Sequence, residues 1–110
     1  MFKNYTPHEV TIYDADGKEI IARFPSEGNA RCSIIHTLFS EIEGLPVYHN
    51  EFSSVEGLPP PEEGITFIVS YPVLQADSNR TDLVGPDTTP QGVVRDVEGR
   101  ILGVKGFQIL

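Results

Sequence analysis

The residues best suited to chemistry in this chain form one short run, Asn79-Arg80-Thr81-Asp82. An arginine guanidinium suits planar, bidentate recognition of phosphate or carboxylate, and a neighbouring amide or hydroxyl can complete a contact to a ribose or a base. The alternative is an ion pair between Arg80 and either Asp82 or Asp77, which contributes under about 1 kcal/mol at a protein surface. Residue types alone favour the ion pair.

Other arginines and aromatic residues could complete an anion pocket. The chain has only eight basic residues, so such a pocket must draw largely on Arg95 at the second hairpin, Arg31 on the middle strand and Arg23 on the first. Phe67 could stack on a purine, which contributes about 1–3 kcal/mol per base, although core packing is the commoner role of phenylalanine. The candidate ligand-binding residues are Arg31, Phe67, Asn79, Arg80, Thr81, Asp82 and Arg95.

The sequence shows no motif for catalysis, cofactor binding or metal binding. It contains no nucleophile elbow, P-loop, dinucleotide fingerprint or zinc-ligand spacing. Cys32 and His36 would lie about 13 Å apart along a strand, so we expect a buried structural cysteine rather than a thiolate pair. We therefore expect no metal and no cofactor. The enzymatic alternative is a nucleotide hydrolase with Asp82, Asp87 or Asp96 as general base.

Length and charge limit the classes of partner. A chain of 110 residues with 39% hydrophobic residues is predicted to form one domain over residues 1–110. Its formal net charge of −8 repels polyphosphates, so we expect no nucleic-acid polymer as a partner. No apolar stretch is long enough to span a bilayer and no signal-peptide pattern is present, which predicts a cytoplasmic protein without a membrane partner.

Turn signals define the expected elements. Two similar sequences, Asp14-Ala15-Asp16-Gly17-Lys18 and Asp96-Val97-Glu98-Gly99-Arg100, predict two β-hairpins. Pro72 predicts a short helix near residues 72–78, with Asn79 as its left-handed cap. The predicted fold is therefore mainly β (α+β), a small antiparallel sheet with hairpins and one short helix.

Three further strands and a loop are predicted from alternation and composition. Residues 65–70 are the most apolar and are expected at the centre of the sheet, and residues 30–39 are expected to be buried on at least one face. Residues 47–52 predict a short strand between two Gly-Pro corners. Residues 83–92 contain two prolines and two glycines among polar residues, which predicts a loop.

Several of these stretches together resemble a set of small phage and prophage proteins. That set carries N-x-T-P-H at the start and V-R-D-E-x-G-R-I near the end. The matching stretches are Thr6-Pro7-His8-Glu9-Val10-Thr11-Ile12, Ala30-Arg31, Glu56-Gly57-Leu58-Pro59, Asn79-Arg80-Thr81-Asp82, Pro86-Asp87 and Val94-Arg95-Asp96-Val97-Glu98-Gly99-Arg100-Ile101. The chain departs from the pattern at Asp77-Ser78-Asn79, where an apolar or small run is more usual.

The group in turn is similar to phage Thoeris anti-defence proteins of the first type. Those proteins are sponges: they sequester cyclic ADP-ribose isomers without cleavage, some also trap cyclic oligonucleotides, and they assemble as dimers or larger oligomers. The resemblance implies that Arg80, Arg95 and Arg31 bind phosphate and that Asn79, Thr81 and Asp82 contact ribose or base. It implies a non-enzymatic homo-oligomer in the cytoplasm of an infected bacterium. The alternative is a protein–protein inhibitor or structural phage component with an acidic surface.

Overall fold

The computed structural model describes all residues, 1–110, and contains ten strands and one helix. The predicted fold class, mainly β with one short helix, is confirmed. The elements in chain order are β1 (Phe2–Asn4), β2 (Val10–Tyr13), β3 (Ile20–Phe24), β4 (Arg31–Ile42), β5 (Leu45–Glu56), β6 (Thr66–Ile68), α1 (Tyr71–Ala76), β7 (Leu83–Pro86), β8 (Val93–Arg95), β9 (Ile101–Val104) and β10 (Phe107–Gln108). The helix has six residues, and no helix of the structure could cross a membrane.

The first sheet has the strand order β1-β6-β7-β10 and is mixed. Strand β6 pairs in parallel with both β1 and β7, whereas β10 runs antiparallel to β7. The β6 residues Phe67 and Ile68 are fully buried, which confirms that this apolar segment occupies the sheet centre. The sheet also corrects one prediction, because residues 83–86 form strand β7 rather than the start of a loop.

The second sheet, of order β3-β2-β9-β8, contains both predicted hairpins. Gly17 and Gly99 have φ values of 71° and 85°, which a residue with a Cβ adopts only with strain. The turn carboxylates accept hydrogen bonds from the backbone of their own hairpins. Asp14 accepts the Lys18 N–H at 3.0 Å, and Asp96 accepts the Arg100 N–H at 2.9 Å. The two hairpins meet where β2 lies beside β9.

The first sheet lies between the helix and the second sheet. The side chains of β6 and the next residue show this, because they point alternately to one layer and to the other. Phe67 and Val69 belong to one buried cluster with Val73 and Leu74 of α1. Ile68, pointing the other way, belongs to a second cluster with residues of β2 and β9. The three-residue strand β6 is therefore shared by both halves of the core.

One buried polar side chain fastens the start of the chain. Asn4 is 0% exposed, its Oδ1 accepts the Thr6 N–H at 2.9 Å, and its Nδ2 donates at 2.8 Å to the carbonyls of His8 and Phe24. All these partners come from the segment that opens the chain or from the end of β3. The N-x-T-P-H sequence therefore has a structural role in this protein: it joins the start of the chain to β3.

Strands β4 and β5 form a separate two-stranded sheet, called the arm, residues 31–56. The turn at Glu43 and Gly44 uses positive φ values of 53° and 80°. Each strand has twelve residues, so the segment 47–52 is only the middle of a longer strand. The radius of gyration, 16.3 Å, exceeds the about 13 Å expected of a compact chain of this length. The remaining elements are called the body.

The arm overturns the prediction that residues 30–39 are buried on one face. The strand exists, but only its base is covered: Ala30 is buried and Cys32 half-buried, whereas Ile34, Ile35 and every residue from there to Phe39 are exposed. Alternating apolar residues showed correctly that this segment is a strand. They could not show whether the same chain provides the surface that covers it.

Candidate functional site

The run 77–82 connects the end of α1 to the start of β7. The Asp77 N–H donates to the Val73 carbonyl at 3.0 Å, which closes the helix, and the Arg80 N–H donates to the Asp77 carbonyl at 3.1 Å. Asp77, with φ −122° and ψ 49°, is the C-cap. Asn79 is therefore not a left-handed cap, and its φ is not positive. This tight turn directs Arg80 back towards the body.

The Arg80 guanidinium is held by two partners. Its Nε and Nη2 donate to Asp82 Oδ1 and Oδ2 at 2.9 Å and 2.7 Å, a bidentate pair. Its Nη1 donates to the Pro59 carbonyl at 2.9 Å, and its Cζ lies 5.5 Å from the centre of the Phe67 ring. A guanidinium has five N–H donors, so two remain without a hydrogen-bond partner in the chain.

The Arg80–Asp82 pair is largely shielded from solvent, with side chains 15% and 18% exposed. The hydrogen bonds from Arg80 hold the pKa of Asp82 below its ordinary value, and the same bonds raise the pKa of Arg80. Both groups are therefore charged at neutral pH. The alternative interpretation of the run, a local ion pair, describes this contact correctly, although the pair is more buried than a surface pair.

A cleft of about 240 Å³ opens beside this pair. Its apolar lining residues are Leu74, Leu83, Ile109 and Leu110. Its polar lining residues are Asp77, Ser78, Arg80 and Thr81. The cleft can thus contact an apolar surface and offer both hydrogen-bond donors and a carboxylate acceptor to one small molecule.

The other candidate ligand-binding residues do not gather at this cleft. Phe67 is 0% exposed and lies beneath Arg80. The prediction that a base stacks on its ring is therefore wrong. Asn79 is exposed but does not line the cleft. Arg31 is exposed at the base of the arm, opposite Glu56. Arg95 donates to the Gly99 carbonyl at 2.6 Å within its own hairpin.

The residues that the sequence analysis missed come from distant parts of the chain. Pro59 contributes a backbone carbonyl, which no side-chain motif could reveal. Ile109 and Leu110 follow β10 and contribute apolar surface. The apolar ending Phe107-Gln108-Ile109-Leu110 was the available signal, but its neighbours are set by the pairing of β10 with β7.

A second hollow of about 360 Å³ lies where β2 meets β9. Its polar lining side chains belong to His8, Glu9, Thr11 and Thr88, and none of its lining residues is an arginine or lysine. The Arg80 cleft is therefore the better candidate for a ligand with phosphate groups.

The carboxylates considered for catalysis are all engaged in hydrogen bonds. Asp82 is bound by Arg80, Asp96 accepts backbone N–H groups of its turn, and Asp87 accepts the Thr89 N–H and hydroxyl. The bonds from Arg80 lower the pKa of Asp82, and those from the Arg100 and Glu98 backbone lower the pKa of Asp96. A lowered pKa makes a carboxylate a weaker base.

Comparisons with known proteins identify no family for this chain. No protein-family model, no curated protein and no solved structure matches the chain. Within the structure, no group of three or more His, Cys, Asp or Glu side chains comes together as metal ligands would.

Proposed function

We propose that this protein binds a small signalling nucleotide, a cyclic ADP-ribose isomer or a cyclic oligonucleotide, and holds it without cleaving it. The observation that carries the proposal is the Arg80 guanidinium, which three hydrogen bonds orient at the wall of a cleft that is half polar and half apolar. In an infected bacterium, such a protein would act as a phage anti-defence sponge by lowering the concentration of free signal.

The charges at the cleft do not attract a simple anion. Asp82 cancels the charge of Arg80 and Asp77 adds a negative charge, so any phosphate group there gains no net Coulomb attraction. Recognition must rest on directed hydrogen bonds and apolar contact. A ligand with a phosphate oxygen for the free N–H groups of Arg80, hydroxyl donors for Asp77 and a base for the leucines supplies all three.

The size of the cleft fits one part of such a ligand. Most small-molecule sites measure about 300–1,000 Å³, whereas this cleft measures about 240 Å³. It can therefore enclose only part of such a ligand and leaves the rest at the surface. The lowered pKa of the nearby Asp82 and its two hydrogen bonds from Arg80 support binding without hydrolysis.

The first experiment is a thermal-shift screen of the purified chain against cyclic ADP-ribose isomers, cyclic di- and trinucleotides, NAD, ADP-ribose and inorganic phosphate. A bound nucleotide at about one hundred times its Kd should add about 2.7 kcal/mol to the free energy of unfolding. The ligand should then be recovered unchanged by chromatography after heating. A chemically altered ligand, or stabilisation by phosphate alone, would contradict the proposal.

Two neighbouring substitutions locate the site. Ser78→Trp fills the cleft while leaving the Arg80–Asp82 pair intact, and it should weaken nucleotide binding at least about tenfold, or about 1.4 kcal/mol. Asn79→Trp, one residue further along and outside the cleft, is the matched control and should bind normally. Equal affinity in both variants would place the ligand elsewhere.

A further inference from the structure

The arm has two strand edges that no other strand of the chain occupies. Strands β4 and β5 form a sheet of only two strands, so each strand pairs on one side and leaves the backbone groups of its other side without a strand partner. Each arm strand has twelve residues, whereas the body strands have two to five. A free edge can accept an extended peptide as an additional strand through main-chain hydrogen bonds. The arm offers such an edge over the greatest length.

The middle of β5 lacks the features that usually protect a strand edge. Natural edges are blocked by lysine, proline or a β-bulge. In β5, Pro46 lies near the tip of the arm and the bulged residue Ser54 lies near its base, whereas residues 47–52 contain none of these features. In β4, the bulged residue Phe39 interrupts the strand. The free edge of β5 is therefore the more regular of the two.

Side chains along this stretch of β5 alternate between an uncharged face and a face with a carboxylate. Tyr48 and Phe52 lie on the uncharged face, where Phe52 is opposite Ile34. On this face Ile34 is 58% exposed and Tyr48 46%. Glu51 lies on the other face, opposite Ile35. A strand added beside β5 would therefore place every second side chain next to an apolar surface and the intervening ones on the side of Glu51.

The carboxylates of the arm have no cationic partner within the chain. Residues 32–79 contain no lysine or arginine, and all four ion pairs of the chain lie in the body. Glu41, Glu43 and Glu51 therefore carry uncompensated charge. Opposite charges on neighbouring strands attract, and like charges destabilise strand pairing. An added strand should thus carry lysine or arginine beside Glu51, which a second copy of this acidic arm does not supply.

We propose that the free edge of β5, over residues 47–52, binds an extended segment of another protein in which apolar residues alternate with lysine or arginine. The segment adds a third strand to the arm, with its apolar side chains beside Tyr48 and Phe52 and its cations beside Glu51. Backbone hydrogen bonds supply the affinity, so the contact can be small. Two-stranded ribbons are marginally stable in water, and a third strand stabilises the arm. This site is separate from the Arg80 cleft and goes beyond nucleotide binding.

The first test uses a fluorescent synthetic peptide of about eight residues, long enough to span the free stretch, in which valine alternates with lysine. Fluorescence anisotropy should give a dissociation constant below about 100 µM. A peptide of the same composition, with the valines and the lysines in two blocks, should bind at least about tenfold more weakly because it has no apolar face. No binding of the alternating peptide up to about 1 mM, or equal binding of both peptides, would overturn the proposal.

Backbone methylation of the alternating peptide tests whether it binds as a strand. The N–H groups of a strand point alternately towards and away from a neighbouring strand. Methylation of the amide nitrogens of all valines, or of all lysines, should therefore have unequal effects: one pattern abolishes binding and the other retains it. Binding through side chains alone does not distinguish the two patterns. Equal effects would show that the peptide does not add to the sheet.

Two glutamates locate the binding edge. Glu51→Lys and Glu63→Lys change the net charge equally, but exposed Glu63 lies in the connector outside the arm. We expect Glu51→Lys to weaken binding of the valine–lysine peptide at least about fivefold and to strengthen binding of a valine–glutamate peptide, whereas Glu63→Lys changes neither. Circular dichroism checks that both variants keep the fold. Equal effects of the two substitutions would contradict binding at the edge of β5.

Discussion

The body and the arm use strands in opposite ways. Body strands have two to five residues, yet they enclose the two buried clusters and all four fully buried apolar side chains, which are Phe67, Ile68, Val69 and Val73. The arm strands have twelve residues each, yet they pair only with each other and expose seven large apolar side chains. Strand length therefore does not indicate burial in this protein.

The comparison separates two sources of stability. In the body, short segments from distant parts of the chain bury each other, so the hydrophobic effect acts within one copy. In the arm, the backbone hydrogen bonds are local and seven large apolar side chains are exposed. Damage to the body should therefore unfold the chain, whereas substitution of an exposed arm residue such as Ile34 should change the free energy of unfolding little.

The largest effect is expected from Asn4→Ala in the body. The substitution removes the amide that binds Thr6, His8 and Phe24. The Thr6 N–H loses its acceptor and the Phe24 carbonyl loses the Asn4 donor beside the core, while the His8 carbonyl keeps only the Thr6 hydroxyl. We expect a loss of about 3–5 kcal/mol in the free energy of unfolding, measured in urea. Asn29→Ala, at an exposed position, is the control and should cost less than about 0.5 kcal/mol. Similar losses in both would show that the Asn4 network contributes little.

Gly57 at the junction of arm and body and Gly44 at the tip of the arm have the same φ of 80°. Substitutions at these two positions therefore compare the junction with the tip. A Cβ on Gly57 would lie 2.6 Å from the Asn29 carbonyl oxygen, whereas a Cβ on Gly44 would meet nothing within 4 Å. Gly44→Ala should cost about 1 kcal/mol for the left-handed backbone alone, and Gly57→Ala about 3 kcal/mol. Thermal unfolding measures both. Equal costs would mean that the arm is not fixed tightly to the body.

A smaller effect is expected from Asp82→Asn, beneath the candidate cleft. Loss of the charged pair should cost about 2 kcal/mol at pH 7. Because the folded pKa of Asp82 is below its ordinary value of 3.8, its contribution is present above that value and is lost as the pH falls through the folded pKa. The difference between wild type and Asp82→Asn in urea unfolding should therefore shrink below about pH 4. A difference that is constant down to pH 2 would show that folding does not lower the pKa of Asp82.

The parts that could be predicted depend on local signals. The turns at Gly17 and Gly99 are fixed by residues within five positions of each other, and Pro72 lies at the start of α1 as expected. The pairing of Arg80 with Asp82 is equally local. The predictions that failed required knowledge of distant partners.

Strand β7 shows why such partners escape sequence reasoning. Its glycine and proline suggested a loop, but tight packing favours Gly85 within the strand: a Cβ there would lie 3.1 Å from both Leu74 Cδ1 and the Val69 carbonyl oxygen. Phe67 likewise has the type of a stacking residue, but its neighbours from α1 and β7 bury it. Periodicity in β4 identified apolar side chains without indicating that the body covers only the base of the strand.

The most direct test of this division is amide hydrogen exchange of the wild-type chain at a concentration where sedimentation equilibrium shows a monomer. We predict that amides of the body strands exchange slowly and that amides of β4 and β5 beyond Cys32 exchange much faster, because the body covers only the base of the arm. An arm as strongly protected as the body in the monomeric chain would contradict the claim that only local backbone hydrogen bonds hold it.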